Sequence, residues 1–186
     1  VGEIARTPPA LPLPQRFLLF VGKLEENKGA RLLVPAVKAS GVALPLVVLG
    51  EGSLAHAMKF EAAAAGVELH LRGWTHREDV LRAMARAEAL VFPSLWPEPL
   101  SRVLLEALAL GTPVAAMDTG GTREILGEEQ GGLVARDPAG LAEALGRLCG
   151  DLSLRARLTE AAHERAKAFS PEVLIPRYEA VYRSLL

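Results

Sequence analysis

Two lysines and two glutamates in this chain stand at spacings that suit one phosphorylated sugar ligand. Lys23 and Lys28 lie five residues apart in Gly22-Lys-Leu-Glu-Glu-Asn-Lys-Gly29, and Glu98 and Glu106 are separated by seven residues. Two ammonium groups so placed can meet a phosphate from two sides, and a carboxylate binds sugar hydroxyls well because each of its oxygens accepts hydrogen bonds. Neither pattern is specific alone: lysines in a turn ordinarily point into water, and glutamates eight residues apart are common on amphipathic helices. The setting strengthens the second. Pro93, Pro97 and Pro99 hold the chain out of helical geometry, so a helix is expected to begin just beyond Glu98. Its first free amides, at Leu100 and Ser101, would favour an anion such as a diphosphate. Glu106 falls about two turns into that helix, among Val103, Leu104, Leu105, Leu108 and Leu110. A charge there is costly unless a ligand or partner satisfies it.

The elements that must position these groups alternate along the chain. Apolar runs at Phe17–Val21, Leu46–Leu49, Val67–Leu71, Ala89–Phe92, Val114–Met117 and Gly132–Val134 read as strands, with helices between them. The runs are continuous rather than alternating, as in strands covered on both faces. Repeated βα units of this kind imply an α/β fold: a Rossmann-like, doubly wound parallel sheet of about six strands with helices on both faces. Ligands of such sheets sit at the carboxyl ends of the strands, which is where both lysines, Glu98 and the Gly120-Gly121 turn fall. After Val134 the pattern is helical only, over Pro138–Leu148, Ser153–Phe169 and Pro171–Leu186, and Asp137-Pro138 and Ser170-Pro171 place capping residues before proline. Residues 1–15 hold four prolines between Pro8 and Pro14 and read as an extended linker, with the folded domain over 16–186.

Composition narrows the classes. Of 186 residues 50% are apolar and 23% charged, with 21 basic against 22 acidic side chains, so the chain can bury a core and carries no general electrostatic footprint for nucleic acid. The single cysteine, Cys149, excludes an intrachain disulfide framework and a multi-cysteine zinc site. No apolar stretch approaches a bilayer span, and the opening segment lacks the charged and apolar regions of a signal peptide, so a cytoplasmic location is expected. The chain begins at Val1 rather than Met, which points to a fragment of something longer. One Asn, two Gln and sixteen Arg against five Lys suit a thermophilic source or a GC-rich genome.

Several motifs occur in a familiar order: Phe20-Val-Gly-Lys-Leu-Glu-Glu-Asn-Lys-Gly29, Leu49-Gly-Glu-Gly52, Arg72-Gly73, Phe92-Pro-Ser94, Glu98 to Glu106, Gly111-Thr-Pro-Val114 and Gly120-Gly121. As a set they resemble the C-terminal nucleotide-sugar-binding domain of retaining GT-B glycosyltransferases of the family 4 type (group 1), from Phe17 to Leu186. The resemblance implies two Rossmann-like domains facing a cleft, with only the donor-binding one present. It gives Lys23 and Lys28 the donor diphosphate and the leaving group, Glu98 the donor sugar and Glu106 the ribose hydroxyls. Lys23 stands where the family commonly has arginine, which keeps the charge and loses the planar fork. The family usually has Glu-Gly-Phe-Gly after the first glutamate, whereas Pro99-Leu100-Ser101 follows here, leaving amide contacts to Leu100 and Ser101. Gly22 belongs to the same phosphate loop, Gly73 and Trp74 would lie against the base, and Gly120 and Gly121 would permit close backbone approach.

The implied activity is transfer of a sugar, of the hexosyl-transferring type, from a nucleotide-diphosphate sugar to an acceptor. No cofactor or metal is expected: the four aspartates, Asp79, Asp118, Asp137 and Asp151, form no Asp-x-Asp pair, so the lysines and helix amides would neutralise the departing diphosphate. The partners expected are the donor and an N-terminal acceptor domain, to which any peripheral membrane contact would fall. The chain alone should bind nucleotide without turnover. His56, His70, His76 and His163 show no ligand spacing, and Cys149 reads as a small helix residue. Two other functions stay open: a nucleotide-sugar 2-epimerase of the same fold, and a non-catalytic nucleotide-sugar-binding module.

Overall fold

In a computed structural model that describes residues 7–185, the six strands form one parallel sheet. They are β1 (Leu18–Val21), β2 (Leu46–Leu49), β3 (Leu69–Leu71), β4 (Ala89–Phe92), β5 (Val114–Met117) and β6 (Gly132–Ala135). Their order is β3-β2-β1-β4-β5-β6. The fold is thus the expected Rossmann-like α/β sheet. The strand sequence reverses direction between β1 and β4, and a crevice opens at such a point beyond the carboxyl ends.

The strands are apolar on both sides because each side is covered. Leu18, Phe20, Leu46, Val48, Val91 and Ala115 face one core, packed by α1 (Ala30–Ala39), α2 (Ala55–Ala65) and α6 (Pro138–Gly150). Their neighbours Phe17, Leu19, Val47, Leu49, Leu90 and Val114 face the other, packed by α3 (Arg77–Met84), α4 (Arg102–Leu110) and α5 (Thr122–Leu126). Side chains alternate across a strand, so two cores form on either side of one sheet. Leu18, Leu33, Leu46, Leu90, Leu104 and Leu108 are fully buried, each contributing about 1.5–3 kcal/mol of transfer free energy. α7 (Leu152–Lys167) closes the end of the sheet, with Leu154 and Leu158 in the first core and Ala162 in the second.

The helix starts follow local chemistry. Asp137 and Asp151 accept from Gly140 N–H at 2.8 Å and Leu154 N–H at 2.9 Å, and Asp137 stands before Pro138, as expected of an N-cap before proline. Ser170 occupies the same position before α8 (Pro171–Ser184) but makes no cap bond from its side chain; its hydrogen bond with Glu172 instead holds that carboxyl below the usual range. The last residue of the expected third helix, Leu186, lies outside the described residues, as do residues 1–6 of the expected linker.

Residues 7–16 have no regular structure, yet they lie on the domain. Leu11 and Leu13 pack against the second core, and Ala10 N–H donates to Asp79 Oδ1 at 3.0 Å. At the amino edge of the sheet Glu88 joins Arg16, 2.7 Å away, and Arg155 of α7. Thr112 Oγ1 donates to Met84 C=O at 2.8 Å, and Thr159 Oγ1 to Gly111 C=O at 2.9 Å. Among the described residues no helix is long and apolar enough to cross a membrane.

Candidate functional site

The carboxyl edge of the sheet gathers five loops. After β1 the chain passes Gly22 and Lys23 into a single 3-10 turn, Glu26–Lys28, and Gly29 then enters α1 with φ 69°. A side chain at Gly29 would lie 1.9 Å from Pro93 C=O, so only glycine lets this loop touch the one after β4. Asn27 C=O completes the junction by accepting from the amides of Leu95 and Trp96, both at 3.0 Å. The loops after β1 and β4 flank the switch point, and their backbones are therefore locked together.

This junction brings Lys28 and Glu98 into contact. Lys28 Nζ donates to Glu98 Oε1, and both side chains are part-buried. Glu98 is held from a second side by the loop after β5. Gly121 N–H donates to Glu98 C=O at 2.8 Å, and side chains at Gly120 and Gly121 would strike Glu98 C=O at 2.4 Å and Pro99 C=O at 2.2 Å. The close backbone approach expected of these two glycines is thus made to the Pro97–Pro99 segment. Thr119 Oγ1 adds a bond to Ser94 C=O at 2.9 Å.

α4 starts later than the sequence suggests. Ser101 is its N-cap, extended at φ −80° and ψ 116°, and the first ladder bond runs from Leu105 N–H to Ser101 C=O. The helical amides ahead of the ladder are therefore those of Arg102, Val103 and Leu104. Leu100 and Ser101 precede the helix: Leu100 is exposed in the bend after Pro99, and Ser101 is buried. Pro97 and Pro99 restrict Trp96 and Glu98 before them, and the packing of Gly120 and Gly121 on Glu98 and Pro99 then holds the chain in a bend through Leu100.

Glu106 sits in the second turn of α4 and is only 16% exposed. The partner that a charge among leucines demands is Arg77, whose Nε and Nη2 donate to Glu106 Oε1 at 3.1 and 2.9 Å. Arg77 opens α3, directly after the loop that carries Gly73 and Trp74. That loop is anchored to the one after β2: Gly50 N–H donates to Gly73 C=O at 2.8 Å and Trp74 N–H to Glu51 Oε1 at 3.0 Å. The Trp74 ring is exposed and makes an edge contact with His76 at 4.7 Å. Gly22 N–H extends the stitching to Leu49 C=O at 3.1 Å. Lys23 points into solvent. Its neighbour Glu25 binds the hydroxyl and amide of Ser53, which hold its carboxyl below the usual carboxylate range.

Lys28 and Glu98 thus touch, Glu106 is bound to a cation next to the Gly73–Trp74 loop, and Lys23 stands apart. Sequence reasoning missed Arg77 and Glu51 as members of the site. Nothing local marks Arg77, which meets its partner 29 residues away; the unbalanced charge of Glu106 was the available signal. Among the described residues no three His, Cys, Asp or Glu side chains gather into a metal-binding group. The edge can therefore hold an anion with Lys28 and the first amides of α4, and hydroxyl groups with Glu98 and Glu106. A cleft of about 380 Å³ lined by Val37, Lys38, Pro45 and Glu68 lies at the opposite edge and contains none of these groups.

The same arrangement of elements occurs in known proteins. The profile of the family "Glycosyl transferases group 1" matches residues 3–165. The lipopolysaccharide core biosynthesis glycosyltransferase LpsE of Rhizobium meliloti is 33% identical over 90% of this chain and 49% of its own length. An N-acetylgalactosaminyltransferase of Campylobacter jejuni, acting on a diphospho-undecaprenol-linked sugar, is 33% identical over 86% of this chain and 44% of its own. The structure of sucrose-phosphate synthase from Thermosynechococcus elongatus superposes with a TM-score of 0.79 at 25% identity, covering 98% of this chain and 50% of that one. The chain spans about half the length of the curated relatives it matches. Matched over most of its length, this chain belongs to the group 1 glycosyltransferase family.

Proposed function

We propose that this domain binds a nucleotide-diphosphate sugar at the carboxyl edge of its sheet, as the C-terminal donor half of a retaining, metal-independent glycosyltransferase of the GT-B, family 4 type. The observation that carries the reading is the Lys28–Glu98 contact at the switch point, with Glu106 in the second turn of the helix that follows Glu98. The family supports the reaction class, since the two relatives described above are named for sugar transfer. An N-terminal domain supplying the acceptor completes the cleft in this reading.

As the bond between the anomeric carbon and the diphosphate oxygen breaks, its electron pair moves onto the phosphate. Lys28 and the amides of Arg102 and Val103 provide a fixed positive field there, which needs no rearrangement as charge develops. Lys23, free to swing from its exposed loop, adds a second ammonium. Glu98 accepts hydroxyl donors of the sugar and Glu106 those of the ribose, while Gly73 and Trp74 pack against the base. Transfer then requires the acceptor to be delivered by the other domain, so the chain alone binds nucleotide with negligible turnover.

The test is calorimetry with UDP, GDP and ADP on the wild type and on Lys28→Ala. One nucleoside diphosphate should bind, and the substitution should weaken it by at least roughly tenfold, the scale of losing a charge-assisted contact. Equal affinities for the two proteins would refute the assignment.

A further inference from the structure

We propose that the Lys28–Glu98 ion pair makes this site select a sugar-bearing donor over the free nucleoside diphosphate. The inference rests on the preceding reading, in which Lys28 meets the diphosphate and Glu98 the sugar. Its basis is the rigidity of the pair. Gly29 is wedged against Pro93, Asn27 C=O takes the amides of Leu95 and Trp96, and Gly121 N–H holds Glu98 C=O. These backbone contacts keep the two residues adjacent, so a ligand that draws the Lys28 ammonium to itself still has the Glu98 carboxylate close by.

A diphosphate that reaches Lys28 therefore also meets the Glu98 carboxylate. A free nucleoside diphosphate presents acceptor oxygens and negative charge, and it leaves the part-buried carboxylate stripped of its ammonium and facing a like charge. A nucleotide sugar places hydroxyl donors beyond the diphosphate, and these replace the ammonium as partners of Glu98. The two ligands thus differ at Glu98 in sign: the donor satisfies it, and the product of transfer does not. After transfer Glu98 recovers Lys28 as the diphosphate departs, which favours product release at a step that often limits turnover.

The experiment is calorimetry of the full chain with the nucleoside diphosphate that binds the wild type and with its sugar conjugate. Glu98→Gln keeps the shape and removes the charge, and it should tighten the free diphosphate by roughly three- to tenfold while leaving the sugar conjugate no tighter than before. Glu98→Ala must shift the diphosphate in the same direction, and ligand-free thermal unfolding checks that both variants are folded. In a Lys28→Met background the gain from Glu98→Gln should shrink, because the part that comes from the broken ion pair is gone and only the like-charge repulsion is left. Unchanged or weaker diphosphate binding by Glu98→Gln, or a gain of the same size without Lys28, overturns the proposal while leaving the nucleotide-binding reading intact. A wild type that binds no nucleoside diphosphate overturns both.

Discussion

Glu106 shows how a residue's surroundings define its work. Its neighbours on α4 are leucines and alanines, and Arg77 donates twice to one of its oxygens, leaving Oε2 as the acceptor for a ligand. If that oxygen binds the ribose, Glu106→Gln should weaken a nucleoside diphosphate about tenfold and leave inorganic diphosphate binding unchanged, both read by calorimetry. Equal losses for both ligands would place Glu106 in the phosphate site instead. The lysines and glutamates were legible in the sequence because their spacing and proline frame are local. Their pairing was not: Lys28 and Glu98 stand 70 residues apart, and they meet only because β1 and β4 are neighbours in the sheet.

At the scale of elements, the strands were readable because a two-sided core demands continuous apolar runs, and five of the six ended within a residue of expectation. β3 departs most: its run from Val67 narrows to Leu69–Leu71 at the sheet's edge, where Val67 N–H instead closes the end of α2 at Ala62 C=O, 2.9 Å away. The start of α4 was misplaced because the segment ahead of it is held by the distant Gly120-Gly121 turn, and no side-chain cap marks Ser101. The loops depend on glycines whose need is visible only in three dimensions. Gly29→Ala puts a side chain into a left-handed conformation and onto Pro93 C=O, and should cost about 1–3 kcal/mol, read as a lower denaturant midpoint at unchanged slope. Because Gly29 joins the loops after β1 and β4, the variant should also lose nucleotide affinity; full stability and full affinity together would show that the junction is dispensable.

Over the whole molecule, the described part of the expected proline-rich linker, residues 7–15, is a strap fastened to the body. Ala10 N–H is the leading cause that holds the Asp79 carboxyl below the usual range, followed among the lowering effects by the Arg82 contact. A depressed carboxylate stabilises the folded arrangement above its ordinary pKa and loses that contribution as pH falls through the lowered value. The protection of the Ala10 amide, its exchange relative to an unstructured amide at the same pH, should therefore be high near neutrality and fall in acid, and in Asp79→Ala it should be low at both; an Ala10 amide equally protected in wild type and variant at neutral pH would show that the strap is not fastened there. The edges of the sheet are divided in the same spirit. The Arg16–Glu88–Arg155 cluster and the hydroxyl bonds of Thr112 and Thr159 hold the amino edge, far from Lys23, Trp74 and Leu100, which project freely from the carboxyl edge. In the reading proposed above, ligand contacts and thermal robustness then rest on different residues, so a lineage can change by drift what meets the carboxyl edge while its melting behaviour stays under separate selection.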